Sequence, residues 1–249
     1  MTNSGDLIKN STSNHTGNNN GGDDDESNNN LIIFHQNIRC LINKSEELIV
    51  NLDSINFCPH ILCISEHHLK QQELITLSVH GYILGAEYSR KVLHKGGVCI
   101  YTKQNLIYKV INLSKFCIEQ NIELCAIQFD TKQINVVVIC VYRAPTGDFE
   151  IFLKQLENAL KFLFKPNREF IICGDINIDY LTESTQKYKL NSMLITFNMS
   201  HTVNFATRIA KDSSSAIDNI FINNNRLQSF AISSVINGLS DHDAQVISL

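Results

Sequence analysis

The sequence predicts a layered α/β domain in which two β-sheets pack face to face with helices outside. Three observations carry that prediction. Short apolar runs, many rich in Ile and Val, recur from Leu31 to the C-terminus. Three longer stretches have the features of helices instead. No repeat at the period of a solenoid or propeller is present. The 249 residues, 43% of them hydrophobic, suffice for one large domain with a sizeable core, or two small ones.

The strand candidates are 31–36, 61–65, 97–101, 106–111, 122–129, 134–142, 169–173, 217–222, 229–236 and 244–249. Their length and β-branching fit buried strands. Among the helices, Lys44–Ile55 follows Asn43, with Glu46 three residues on as a capping box. Phe149–Phe164 sets Phe152, Leu156, Leu160 and Leu163 on one face behind Asp148 as N-cap. Gln186–Phe197 carries Tyr188, Met193, Leu194 and Phe197 at mixed spacing. Cys63, Cys99, Cys125, Cys140 and Cys173 fall inside strand runs, where cysteine acts as a small hydrophobe.

Composition removes several classes. The longest apolar run, Val136–Tyr142, is a third of a membrane span, so no transmembrane helix is expected. No secretory leader is expected, because no basic stretch precedes an apolar one. The eight Cys form no CxxC pair, against a zinc ribbon or redox motif, and reduced core thiols imply an intracellular, reducing compartment. Residues 1–30 hold nine Asn and the run Asp23-Asp24-Asp25-Glu26, which reads as a disordered tail. Without it, residues 31–249 form one domain with 20 bases against 20 acids. Such neutrality does not advertise nucleic-acid binding by bulk charge; binding would need a local patch.

The informative feature is where polar residues end apolar runs. The first run ends at Asn37, the second at Glu66-His67-His68, and Val136–Val141 ends at Tyr142-Arg143. Phe170–Gly174 ends at Asp175-Ile-Asn177, and Ser240-Asp241-His242 precedes the last strand. Loops at strand ends are where a rigid sheet can hold reacting groups. Taken singly, an Asp or Asn after a strand is usually a turn residue or cap. Glu66 is harder to dismiss, because a buried carboxylate is costly without a partner. Asp175 and Asn177, on one face of an extended segment, can hold a water between them. The ordered combination is much more specific than any member.

That combination resembles the endonuclease/exonuclease/phosphatase superfamily, and within it the apurinic/apyrimidinic-type endonuclease domain of non-LTR (LINE) retrotransposons. The residues are Asn37-Ile-Arg39, Ile64-Ser-Glu66-His-His-Leu69, Gly96-Gly-Val-Cys-Ile-Tyr101, Val141-Tyr-Arg-Ala-Pro145, Gly174-Asp-Ile-Asn177, Ser215-Ala-Ile-Asp218 and Leu239-Ser-Asp-His242. They span about 31–249. The resemblance implies a four-layer sandwich of two packed mixed β-sheets flanked by helices, with the site at one end of the sheets.

It also implies roles. Glu66 would bind a divalent metal, Mg²⁺ with Mn²⁺ as the alternative, with Asn37 beside it. Asp175 would orient or deprotonate the attacking water, and Asn177 would hold that water and the phosphate. Asp241 would be a second acidic metal or water-network residue. His242 would donate to a phosphoryl oxygen, with Asp218 fixing its tautomer, and Tyr142 would approach the phosphate or leaving group. Arg143, Thr207 and Arg208 would contact the DNA backbone, and the hairpin-like 200–212 stretch would choose the target. His67 and His68 read as surface or DNA-proximal residues. Oxygen ligands without a Cys or His cage independently favour Mg²⁺ over Zn²⁺.

The implied activity is a Mg²⁺-dependent DNA endonuclease that nicks one strand and leaves a 3′-hydroxyl. It would act as a nuclear monomer without membrane partners, with a reverse transcriptase domain encoded elsewhere or lost. The alternatives are another phosphoesterase of the superfamily (inositol-phosphate phosphatase, sphingomyelinase or deadenylase type) or an inactive remnant of an element. The absence of Trp points away from abasic-site recognition.

Overall fold

The computed structural model describes residues 31–54, 57–130, 135–210, 213–226 and 228–249; the segment 1–30, read above as a disordered tail, lies outside them. In chain order the elements begin β1 (Ile32–Asn37), α1 (Ser45–Ser54), β2 (Ile61–Ser65), α2 (Gln71–Thr76), β3 (Tyr82–Tyr88) and β4 (Val98–Lys103). Next come β5 (Lys109–Ile111), β6 (Glu123–Asp130), β7 (Asn135–Tyr142), α3 (Phe149–Leu163), β8 (Glu169–Asp175) and α4 (Thr185–Ile195). The chain continues through β9 (Met199–His201), β10 (Arg208–Ala210), β11 (Ser213–Ser215), β12 (Asp218–Asn223), β13 (Ala231–Val235) and β14 (Ala244–Ser248).

Two six-stranded sheets result, ordered β13-β14-β1-β2-β4-β3 and β5-β6-β7-β8-β12-β9. Each is mixed, with one parallel pair in an otherwise antiparallel sheet: β1 with β2, joined through α1, and β7 with β8, joined through α3. A third, small ribbon pairs β10 with β11.

Alternation along β7 explains the layering. Val137, Ile139 and Val141 pack outward with Phe152, Leu156 and Leu160 of α3. Val136, Val138, Cys140 and Tyr142 pack inward with Ile61, Cys63 and Ile100 of the other sheet. A strand covered on both faces reads as an unbroken apolar run, as Val136–Val141 does. On the far side of the first sheet, Phe34, Leu62 and Tyr101 pack against Leu48 and Leu52 of α1 and Leu74 of α2. The order is therefore helices, sheet, sheet, helices. The four predicted α3 core residues are buried, each worth about 1.5–3 kcal/mol. Asp148 caps the helix by accepting from the Ile151 amide at 2.9 Å.

All ten predicted strands are present, and the three predicted helices shift by a residue or two. Two local expectations are corrected. α1 starts from a turn over 41–44, and among the described residues the Asn43–Glu46 capping box is not formed. On α4, Tyr188 is exposed and Leu190 takes its place in the core. The short α2 and the edge strand β3 had no prediction. The five strand cysteines are buried and none is in a disulfide. Among the described residues, no helix is long and apolar enough to cross a membrane.

Candidate active site

The C-terminal ends of both parallel pairs meet at one end of the sandwich. Asn37 ends β1 beside Ser65, and Glu66 follows Ser65 directly. Tyr142 ends β7 beside Asp175, the last residue of β8. Antiparallel to β8, β12 sets Asp218 opposite Asp175. Gly174 makes this register possible, because a Cβ there would stand 1.9 Å from the Val141 carbonyl oxygen.

Asn37 ties the sheets together. Its Nδ2 donates to Glu66 Oε1 and Asp175 Oδ2, both at 2.8 Å. Two flanking carboxylates fix that orientation, so the amide nitrogen faces them and Oδ1 turns to the Arg39 amide at 3.2 Å. Glu66 stands in left-handed backbone (φ 54°), which turns its side chain off the strand end. Burial raises its pKa, but hydrogen bonds from His68, Asn37 and Tyr142 outweigh this and hold it down at about 2. The His68 Nε2 lies 2.9 Å from Glu66 Oε2.

Behind Asn37, oxygens of Asp175 and Asp218 and a ring nitrogen of His242 lie within 4.8 Å of one another, all three residues buried. Asp218 Oδ2 accepts from His242 Nδ1 at 2.8 Å and from Thr207 Oγ1 at 2.7 Å. Its Oδ1 is buried without a hydrogen-bond partner. Burial lowers the His242 pKa, but the Asp218 charge and hydrogen bond override it, and the ring titrates near 9. Burial and the facing Asp218 charge push Asp175 up to about 8. Burial and the Glu66 and Asp175 charges raise the Tyr142 phenol, keeping it a neutral donor.

The rim carries charge. Asp241 receives Arg39 at 2.6 Å and Arg208 at 2.8 Å, one on each oxygen. It was expected as a second acidic metal or water-network residue; both of its oxygens are in ion pairs. Arg208 sits at the base of the β10–β11 ribbon, within the stretch read as a target loop, and bridges to His242.

Four expectations are corrected. Arg143 does not face DNA. It is 3% exposed and donates to the carbonyls of Ile176, Gly147 and Asn177 at 2.8–2.9 Å, so it scaffolds the loop after β8. Thr207 is fully buried against Asp218, where it steadies the acid that holds His242. The segment after Asp175 is bent, not extended: Asn177 has φ 51°, its amide closes on Asp175 Oδ1 at 3.0 Å, and its Nδ2 donates to the Arg143 carbonyl. His67 is fully buried, taking the Leu69 amide on Nδ1 and reaching the Tyr88 carbonyl with Nε2. Sequence reasoning missed the roles of Arg39 on Asp241, of His68 on Glu66, and of Ser240, whose Oγ donates to the Asn37 carbonyl at 2.6 Å. Arg39 and His68 each stand two residues from a predicted site residue, which was the available signal.

The donor set suits a hard divalent cation. Glu66 is ionised, partly exposed and linked through Asn37 to one further carboxylate, that of Asp175, and among the described residues no cysteine belongs to the cluster. The remaining groups supply a proton acceptor (Asp175), an oriented imidazolium (His242) and a neutral phenol (Tyr142).

A family model described as the Endonuclease/Exonuclease/phosphatase family matches residues 36–242. No curated protein matches the chain in sequence. Among solved structures, the endonuclease domain of TRAS1, a telomere-specific non-LTR retrotransposon, superposes with TM-score 0.67 at 16% identity, covering 88% of this chain and 98% of that one. The AP endonuclease LMAP from Leishmania major gives TM-score 0.67 at 12% identity, over 88% and 87% of the chains. The 3′ phosphatase NExo from Neisseria, bound to a product DNA hairpin, gives 0.66 at 16% identity over 88% and 98%. At these identities the likeness is one of fold. With the family match over most of its length, the chain belongs to the endonuclease/exonuclease/phosphatase family of phosphoester hydrolases.

Proposed function

We propose that residues 31–249 form a Mg²⁺-dependent DNA endonuclease of the retrotransposon type, which nicks one strand and leaves a 3′-hydroxyl. The observation that carries it is the buried Asp175–Asp218–His242 group, placed beside the ionised Glu66 at the meeting ends of both sheets. The likeness to the TRAS1 domain supports the retrotransposon branch. The reading implies a nuclear site of action.

Asp175 in its ionised form takes the proton of the attacking water; with the pKa pushed up to about 8, that form is a stronger base than a free carboxylate. His242, charged at neutral pH, donates through Nε2 to a non-bridging phosphoryl oxygen while Asp218 holds Nδ1. Tyr142 donates to the phosphate from the Glu66 side. Glu66 would hold the cation, which when bound neutralises charge on the phosphoryl oxygens and the departing oxygen. The water oxygen bonds to phosphorus as the P–O3′ bond breaks, O3′ takes a proton from solvent to become the 3′-hydroxyl, and the phosphate stays on the 5′ end.

The test is a substrate panel with Mg²⁺: supercoiled plasmid, a 3′-phosphorylated oligonucleotide and inositol phosphates. The proposal expects open-circle plasmid whose nick a DNA polymerase extends without prior end repair. Turnover of the oligonucleotide phosphate or inositol phosphates with intact plasmid would replace it with another phosphoesterase activity.

A further inference from the structure

The link from β3 to β4 is longer than a hairpin requires. Tyr88 pairs with Val98, and residues 89–97 lie between them, where two-residue turns are the commonest solution. The loop is nevertheless locked at its base. The Glu119 carboxylate accepts the amides of Lys91, Val92 and Leu93 at 2.6, 3.0 and 2.8 Å. The Lys70 ammonium donates to the carbonyls of Arg90, Lys91 and Leu93. Arg90 is buried and reaches Glu123 at 2.6 Å, whose other oxygen takes the Gly97 amide. Gly97 is at φ +87°, where a Cβ would strike the His67 ring.

What this clamp presents is Lys91, Val92, Leu93, His94 and Lys95, all exposed. Val92 is 80% exposed at the tip. Among the described residues, neither Lys91 nor Lys95 has a carboxylate partner. Bonds to six backbone groups of so exposed a segment hold shape where packing cannot. The loop springs from the active-site end of the first sheet, since Val98 pairs with Ser65 and Ser65 with Asn37. Two strand spacings of about 4.8 Å put its base about 10 Å from Asn37.

Resting on the DNA-endonuclease reading above, we propose that the 89–97 loop is a preformed arm that grips the DNA backbone beside the cut, through Lys91 and Lys95. It stands on the β2–β4 side of the site, and the β10–β11 ribbon with Arg208 stands on the β12–β14 side, so the scissile strand lies between two basic elements. A preformed arm loses little entropy on binding.

The test measures duplex binding by full-length His242→Ala protein, which holds DNA uncut, across a salt series. Lys91→Ala with Lys95→Ala added is expected to lower the slope of log K against log salt by about 1.8, at about 0.9 per phosphate contact. In the catalytically intact chain, the same pair raises KM and leaves kcat at saturating DNA unchanged. Glu119→Ala, which removes the acceptors and no DNA-facing charge, raises KM more than Glu119→Gln, which keeps one acceptor oxygen. Salt-dependent binding whose slope the lysine pair does not change overturns the arm and leaves the endonuclease reading standing. Absence of duplex binding by His242→Ala protein, with no plasmid nicking by wild type, overturns both.

Discussion

Replacing Asp218 with Asn keeps the shape of the buried acid and removes its charge. In the folded chain His242 titrates near 9 instead of 6.5, and the facing Asp218 is the main cause of the rise. Losing that carboxylate returns the ring to 6.5 or below, a change of about 3 kcal/mol at about 1.36 kcal/mol per pKa unit. At pH 7.5 the charged fraction of the ring falls from about 97% to about 9%, so loss of the proton donor alone costs about tenfold in kcat. At pH 6 both forms are mostly charged, and the same arithmetic leaves a deficit below about twofold. The assay is plasmid nicking by wild type and Asp218→Asn from pH 5.5 to 9, beside an NMR titration of the His242 ring. The rate ratio is expected to widen steadily with pH, and the ring pKa to fall by about 2.5 units or more. A deficit of constant size across that range would refute the reasoning and leave Asp218 as a packing residue for His242 and Thr207.

Arg143→Ala removes three guanidinium bonds to buried carbonyls and should cost about 3–5 kcal/mol of unfolding free energy in urea, given about 1–3 kcal/mol per unpaired buried group; a loss under 1 kcal/mol would return Arg143 to the surface role. Arg208→Ala should weaken duplex binding and lower the salt slope by about 0.9, and an unchanged slope removes it from the DNA interface. Stability should also track the His242 charge. A raised folded pKa contributes fully below the unfolded value of 6.5 and is lost as pH rises through about 9. The stability advantage of wild type over His242→Gln should therefore shrink by about 3 kcal/mol between those limits, and an advantage that grows with pH would contradict the assignment.

The strands that the sequence revealed are those with both faces covered, where Ile and Val runs such as Ile61–Ser65 and Asn135–Tyr142 leave little alternative. β3 escaped because it is an edge strand with half-exposed residues and Gly85 in its middle, and β9 to β11 because three residues carry no period. At the site, Asn37, Glu66 and Asp175 were legible because each ends an apolar run, and Asp218 and His242 because they complete the ordered family pattern. Arg143, Thr207 and His67 were misassigned for one shared reason. Nothing local distinguishes an arginine that faces phosphate from one that satisfies buried carbonyls, or a threonine on the rim from one closed over an acid across the sheet. Those roles depend on what β8, β12 and the loop before β10 bring opposite. The ion pairs of Asp241 were not legible because its partners, Arg39 and Arg208, come from distant segments.

The central claim is that the Asp175–Asp218–His242 group performs metal-dependent cleavage of DNA. The direct measurement is conversion of supercoiled plasmid to open circle by wild type, Asp175→Ala and His242→Ala, each with Mg²⁺ and with EDTA, after circular dichroism confirms that all three are folded. The account predicts nicking by wild type with Mg²⁺ only, and a loss of at least about 10² in both variants. Nicking by His242→Ala at the wild-type rate, or wild-type nicking undiminished in EDTA, would contradict it.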